Sequence, residues 1–295
     1  MNNKYYVHIG TIAERVVTNL LGHATHEEGS AGHGKSSAIT TGYAQLDSLM
    51  GGLRGGSMYL IGGRPGMGKA AFALNVALNI LETSRPVYYF SPELSPEEIV
   101  HRLISIMTGV ESLSFRLKNL SDKEKTAVNA ALSRLKAMPL YICHTPFPEA
   151  EDLAAMIRTA DKDGVAIIDD VQSVCWNKSR PFMRGFMDHD GISKVSRELK
   201  LAAIEAGIPL VCTTRLTRNL ELRRDKHPIL SDLEESAGVL EYDADGVIFI
   251  YRDAYYCESH DHGKAELILA KNRWGSTGNV QVKFDFASCR FSNIA

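Results

Sequence analysis

Residues 58–81 read Met58-Tyr-Leu-Ile-Gly-Gly-Arg-Pro-Gly-Met-Gly-Lys-Ala-Ala-Phe-Ala-Leu-Asn-Val-Ala-Leu-Asn-Ile-Leu81, three kinds of segment in direct succession. MYLIG is a short apolar run suited to a strand, Gly63-Arg-Pro-Gly-Met-Gly-Lys69 is a glycine-rich turn, and AAFALNVALNIL is a good helix former. Glycines let backbone N–H groups turn inward around a phosphate chain. The helix N-terminus adds its partial positive charge, and Lys69 reaches the outer phosphates. A glycine-rich turn that merely precedes a helix would leave the lysine unexplained. Gly63, Arg64, Pro65, Gly66, Met67, Gly68, Lys69 and Ala70 are therefore the candidate nucleotide-binding residues.

The eighth residue of such a loop is ordinarily Ser or Thr, whose hydroxyl ligates Mg²⁺, and here it is Ala70. Mg²⁺ keeps several waters and takes few protein ligands, so phosphates, water and a carboxylate from another strand can still hold it. Binding of nucleotide is thus better supported than its hydrolysis. The expected carboxylate is Asp169, which ends the apolar run VAIID; Asp170 follows it. Alternate residues of a strand face opposite sides, so only one of the two is expected in the site, leaving Asp170 as a helix cap or surface acid. Glu93, in FSPELS after the second apolar run, is the candidate general base for a water attacking the terminal phosphate. Its other reading is charge in the first turn of a helix, since SPEE is a helix start.

Working outward from the loop, short β-rich runs alternate with helical patterns: Met58 to Ile61, Val87 to Phe90, Leu140 to Cys143, Val165 to Ile168, Pro209 to Cys212 and Val247 to Tyr251. Continuous apolar runs suit strands buried on both faces, and the helices between them suit the crossovers of a doubly wound, mostly parallel sheet. Two later runs, Glu266 to Ala270 and Val280 to Phe286, flank NRWGSTGN and are expected to add an antiparallel hairpin at one edge. Upstream, Thr11 and Glu14 have capping-box spacing, and Ile12, Val16, Val17, Leu20 and Leu21 form one apolar stripe. That predicts a helix over 11–22, followed by a linker from His23 to Ser37. The domains expected are 1–37, a linker helix with its linker, and 38–295, the nucleotide-binding body. The stripe either docks on a neighbouring subunit or folds back on its own domain.

The chain has 295 residues, 44% of them apolar, enough for a sizeable core. It holds no run approaching the roughly 18 apolar residues of a membrane span, and MNNKYYVHIG lacks a secretory layout. Its five cysteines, 143, 175, 212, 257 and 289, are scattered without paired spacing, which predicts reduced thiols and a cytoplasmic location. A net charge of −2 argues against a generally basic coat but leaves room for a local basic channel. Trp176 to Phe186, WNKSRPFMRGF, interleaves Lys178, Arg180 and Arg184 with aromatic residues, a pattern in which cations track phosphates and rings stack on bases. A second basic run, Arg215, Arg218, Arg223, Arg224 and Lys226, is broken by Glu221 and Asp225 and is read as an exposed or interfacial helix. Cys257, His260 and His262 lack a matching ligand pair elsewhere and are not assigned to a metal.

Thr41-Gly-Tyr-Ala-Gln-Leu-Asp47, GGL at 51–53, GRPGMGK, FSPELS, IIDDVQS, SDLEES, DADGVIFIYRD, KNRWGSTGNV and RFSNIA occur in the order and spacing of the motor domain of DnaB-type replicative helicases, which the chain resembles over roughly residues 11–295. The resemblance implies a RecA-like P-loop NTPase fold, ATP and Mg²⁺ as cofactors and a homo-oligomeric, hexameric ring with ATP sites between subunits. It also implies single-stranded DNA as the track, and loader or primase proteins as further partners. Carried over by position, it makes Lys69 the phosphate lysine, Asp169 the Mg²⁺-binding acid and Glu93 the catalytic glutamate. Lys271 and Arg273 become the basic pair serving the neighbouring subunit's γ-phosphate, and helix 11–22 docks on that neighbour. Departures stand at Ala70, at Arg215 where the family has Gln, at Glu234 where it has Arg, and at one extra residue in AGVLEYDAD. They leave a second reading: a nucleotide-binding module that associates with a ring and hydrolyses poorly.

Overall fold

In the computed structural model, the residues described are 38–176, 189–233, 238–257 and 263–294. The strands are β1 Met58–Gly63, β2 Val87–Phe90, β3 Leu140–Cys143, β4 Val165–Ile168, β5 Leu210–Arg215, β6 Gly246–Tyr251, β7 Lys264–Asn272, β8 Gly278–Asp285 and β9 Arg290–Asn293. They form a nine-stranded sheet in the order β3-β2-β4-β5-β1-β6-β7-β8-β9. From β3 to β6 neighbours run parallel; β7, β8 and β9 are antiparallel. The antiparallel edge is thus one strand wider than the hairpin expected. Its last strand escaped the sequence reading because RFSN presents a single apolar residue, Phe291, to the core.

The helices are α1 Ala44–Met50, α2 Lys69–Leu81, α3 Pro96–Thr108, α4 Ser112–Leu117, α5 Asp122–Lys136, α6 Ala150–Arg158, α7 His189–Ala206 and α8 Val239–Asp243. Both faces of the sheet are covered, and β1 shows how. Tyr59 and Ile61 belong to one buried apolar cluster with Phe72 and Leu74 of α2 and Ile99 of α3, whereas Met58 and Leu60 belong to a second with Leu153 of α6 and Leu199 of α7. A strand buried on both faces has no polar alternation, which is why β1 reads as a continuous apolar run. Among the described residues no helix is long and apolar enough to cross a membrane.

Local chemistry sets the helix starts. Ser95 and Glu98 form a reciprocal capping box at α3, with Glu98 N–H donating to Ser95 Oγ at 3.2 Å and Ser95 N–H to Glu98 Oε2 at 3.0 Å. At α2 the cap residue is Gly68, without a side-chain cap, so its first-turn N–H groups keep no local side-chain acceptor.

The second basic run does not form the helix expected of it. Arg218–Leu222 is a short 3₁₀ turn, after which Arg223 donates to buried Asp232 at 2.7 Å and to the His227 carbonyl at 2.8 Å. Lys226 Nζ bonds the carbonyls of Glu221 and Arg223. These cations hold an irregular loop together. Helix 11–22, the linker, Lys178, Arg180, Arg184, Glu234, His260 and His262 lie outside the described residues.

Candidate nucleotide site

β1 and β5 are adjacent, and the loop leaves β1 at the carboxyl ends of the parallel strands, where open α/β sheets place their ligands. There the chain leaves a cavity of about 870 Å³, lined by Pro65, Gly66, Gly68, Lys69, Ala70, Glu93, Asp169, Asp170 and Arg215 among others. Gly66 and Gly68 have φ of +82° and +103°, and a Cβ on them would meet the rings of Tyr255 at 3.0 Å and Phe291 at 3.1 Å. Only glycine serves at either position, and the result is a bare backbone concavity at the start of a 13-residue helix. The cradle fits a phosphate chain.

Three of the candidate loop residues, Gly63, Arg64 and Met67, do not line the cavity. Arg64 turns away to Glu221 (2.9 Å) and the Leu216 carbonyl (2.8 Å), and Met67 is buried at 2% exposure, so neither side chain lines the cavity. Lys69 does line it. Burial lowers its pKa, opposed by the carboxylates of Asp170 and Asp169, which favour the charged form.

Asp169 and Asp170 both line the cavity, against the expectation that one of them would turn away. The alternation rule fails because β4 ends at Ile168 and the backbone passes into the 3₁₀ turn Val171–Ser173. Asp170 also caps that turn, accepting from Ser173 N–H at 2.9 Å. Asp169 accepts from Thr213 Oγ1 at 2.6 Å and from Tyr89 Oη at 3.1 Å. Burial raises the Asp169 pKa against the Thr213 hydrogen bond, and the like charge of Asp170 raises it further. Glu93 lies outside α3, whose first-turn acids are Glu97 and Glu98, so the helix-charge reading belongs to them. Its carboxylate opens into the cavity and meets Arg215 Nη2 at 2.8 Å.

The donor set fits a Mg²⁺ held on nucleotide phosphates and water with Asp169 as its protein carboxylate. It does not offer a protein hydroxyl at position 70.

Lys271 and Arg273 are nowhere near this cavity. Lys271 pairs across the sheet with Val247 and Asn272 with Gly246, at the beginning of β6 and thus at the end of the parallel strands opposite the loop. Lys271 Nζ donates to the Glu241 carbonyl at 2.5 Å, and Arg273, its side chain 64% exposed, bonds buried Asp245.

Five further residues, not among the candidates above, shape the cleft. Glu98 and Arg102, one helical turn apart on α3, line the cavity on the face away from buried Ile99 and Leu103; that i, i+4 pairing was a readable signal. Phe284 and Phe286 line it from the end of β8. Arg252, just past β6, is buried, donates to the Gly66 carbonyl at 3.2 Å and lies 4.4 Å from the Phe284 ring centroid. It props the loop from behind.

These features can be set beside known proteins. A family model described as the DnaB-like helicase C terminal domain matches residues 38–293. The replicative DNA helicase DnaB of Geobacillus stearothermophilus is 32% identical over 266 residues, covering 88% of this chain and 58% of that protein. The DnaB of Buchnera aphidicola is 36% identical over 264 residues, covering 87% of this chain and 56% of that protein. The chain therefore spans little more than half the length of these relatives. A solved ATPase domain superposes with a TM-score of 0.86 at 26% identity, covering 98% of this chain and all of that one. A DnaB-like replicative helicase, solved with attention to its interactions with primase, gives 0.81 at 25% identity and covers 97% of this chain and 76% of that one. The RadB recombinase, at a TM-score of 0.54 and 17% identity, shares the fold alone. With the family model running through the loop, both carboxylate strands and the antiparallel edge, this chain belongs to the DnaB-like helicase C-terminal domain family.

Proposed function

We propose that this chain is the ATP-hydrolysing motor of a DnaB-type replicative helicase, working as a hexameric ring that moves on single-stranded DNA in the cytoplasm. The observation that carries the reading is the convergence of Lys69, Glu93 and Asp169 on one cleft around a glycine cradle. The loop N–H groups and Lys69 bind and orient the phosphate chain, and Glu93 positions a water and takes its proton. Mg²⁺, when bound, would neutralise charge on the transferring phosphate, with Asp169 its carboxylate partner. Arg273 and Lys271 sit at the far end of the strands, so in this reading they serve the neighbouring subunit's cleft, and helix 11–22 docks on that neighbour. Lys178, Arg180 and Arg184 face the DNA, and loader or primase proteins act on the assembled ring.

A second reading, a nucleotide-binding module with weak hydrolysis, is favoured by one specific contact: the Glu93 carboxylate is already paired with Arg215. Steady-state ATP turnover with and without single-stranded DNA separates the two. A motor shows DNA-stimulated turnover that Glu93→Gln removes. Turnover that is DNA-insensitive and indifferent to Glu93→Gln ends the motor reading.

A further inference from the structure

β4 lies between β2 and β5 in the sheet, and each neighbour sends one hydroxyl to the carboxylate that follows β4. The register explains how. Tyr89 of β2 pairs with Ile167, and Cys212 of β5 pairs with Ile168, so Thr213, one residue on, stands level with Asp169. Side chains alternate along a strand, which puts Tyr89, Ile167, Asp169 and Thr213 on one face. It is the face covered by α2, since Tyr89 and Ile167 belong to one buried cluster with Phe72. The backbone carries the pairing one step past β4, with Asp169 N–H donating to the Phe90 carbonyl at 2.9 Å.

Thr213 Oγ1 donates to Asp169 Oδ1 at 2.6 Å, and Tyr89 Oη donates to Asp169 Oδ2 at 3.1 Å. A single donor lets a carboxylate pivot about its bond to Cβ, whereas one donor on each oxygen, from strands on opposite flanks, fixes its plane. Tyr89 and Thr213 are fully buried, and neither lines the cavity that Asp169 faces, so both act behind the carboxylate. Phe and Val would fill the same space without a buried polar atom to satisfy, so packing does not explain the two hydroxyls. Asp170, the neighbouring acid, is engaged elsewhere, by Arg215 and Ser173.

We propose that Tyr89 and Thr213 are positioning residues that fix the Asp169 carboxylate in one orientation and thereby set the preference of the cleft for Mg²⁺. This rests on the nucleotide reading of the cleft, with Asp169 as the carboxylate partner of the metal. Mg²⁺ demands near-ideal octahedral geometry and takes few protein ligands, whereas Ca²⁺ accepts about six to eight oxygens in a flexible shell. A carboxylate held in one plane suits the first ion, and one free to pivot suits the second. With no hydroxyl at position 70, the set of protein oxygens on offer is small, and the aim of this carboxylate weighs correspondingly more.

The test is the affinity of the full chain for a non-hydrolysable ATP analogue in EDTA, in Mg²⁺ and in Ca²⁺, compared among the parent, Tyr89→Phe, Thr213→Val and Thr213→Ser. The parent should gain more affinity from Mg²⁺ than from Ca²⁺. Losing one hydrogen bond to a charged group should cut the Mg²⁺ gain by about fivefold or more in Tyr89→Phe and in Thr213→Val, and the Ca²⁺ gain by less. Affinity in EDTA should hold, because the glycine cradle and Lys69 are untouched, and that shows each variant to be folded. Thr213→Ser retains the hydroxyl and should retain the Mg²⁺ gain. If Thr213→Val does not fold, Tyr89→Phe, which loses only an oxygen, decides alone. A Mg²⁺ gain that survives in both variants overturns the positioning role and leaves the nucleotide reading standing, as does a loss shared equally by Mg²⁺, Ca²⁺ and EDTA, the mark of a purely structural role. A parent that binds the analogue with no gain from Mg²⁺ overturns Asp169 as the metal's partner and this proposal with it. A parent that binds under none of the three conditions overturns the nucleotide reading itself.

Discussion

Arg273 Nη1 donates to Asp245 Oδ1 at 3.0 Å, while the other oxygen of that carboxylate accepts the backbone N–H of Met58, the first residue of β1, at 2.9 Å. Lys200 Nζ completes the cluster on Asp245 Oδ2. The residue proposed to serve a neighbour's cleft is therefore tied through one buried carboxylate to the strand that ends in this subunit's own glycine loop. In the ring proposed above, this link would connect the loop of one subunit to the cation that it offers its neighbour.

A first prediction follows for Asp245. Burial alone would raise its pKa, but the Lys200 contact, the Met58 N–H and Arg273 outweigh burial, and the folded value is lowered. Its contribution to stability is thus present above the unfolded carboxylate value, near 4, and is lost as pH falls through the lower folded value. Asp245→Asn leaves Lys200 short of its counter-charge, at a cost of about 3–5 kcal/mol. Melting temperatures measured from pH 3 to 7 should be lower for the variant at neutral pH and should converge with the parent in acid. Turnover of the assembled protein should fall while nucleotide affinity holds. Parallel melting curves across the whole pH range would refute the assignment.

Arg252 gives a prediction with opposite signs for stability and binding. Burial lowers its pKa, its Nε has no hydrogen-bond partner among the described residues, and its guanidinium lies against Phe284 while Nη1 holds the Gly66 carbonyl. Replacing a buried, partly satisfied charge by an apolar group is often neutral or stabilising. Arg252→Met should keep or raise the melting temperature, yet weaken nucleotide binding by about tenfold, because the loop loses its prop. A variant that melts early and binds normally would show that Arg252 holds the core together and has no hand in the loop.

The parallel sheet was readable because its strands are continuous apolar runs, buried on both faces except in the edge strand β3, where Tyr141 is exposed and its neighbours are half-buried. Val87–Phe90, Leu140–Cys143 and Val165–Ile168 match the apolar runs residue for residue. β5 runs on to Arg215, past the expected end at Cys212, because Thr213 and Thr214 are buried polar residues whose hydroxyls are satisfied by Asp169 and Gln172. No apolar pattern marks such a pair. The glycine loop, Lys69, Asp169 and Glu93 were legible as local motifs. The Arg215–Asp170–Glu93 cluster was not, since its members come from β5 and from the turns after β4 and β2, and only sheet order brings them together.

The DNA contact proposed for the segment after β4 can be read from salt dependence. Each phosphate neutralised releases counterions, so replacing Lys178, Arg180 and Arg184 together by Gln should weaken single-strand binding and flatten the slope of log affinity against log salt by about 2 for the three cations. Affinities for an oligonucleotide across a salt series measure both. A uniform loss of affinity with the slope intact points to stacking by the neighbouring aromatic residues instead.

Ala70 decides how far the cleft works as an engine. The residue lines the cavity directly after Lys69, where a hydroxyl would face the phosphates, and the carboxylate at hand, Asp169, already accepts hydrogen bonds from Thr213 and Tyr89. An ion that demands near-ideal octahedral geometry gains most from an added ligand in the transition state, where charge on the phosphate is greatest. Ala70→Thr should therefore raise turnover while leaving nucleotide affinity within about tenfold of the parent. Single-turnover and steady-state rates at several Mg²⁺ concentrations separate a metal effect from a binding effect: the gain should be largest at low Mg²⁺ and shrink toward saturation. If Ala70→Thr gives no gain at any Mg²⁺ concentration while the parent turns over briskly, the metal is fully held by phosphates, water and Asp169. If both proteins bind ATP and neither hydrolyses it, the block lies at Glu93, held by Arg215, and Arg215→Gln in the Ala70→Thr background is the variant that should restore turnover.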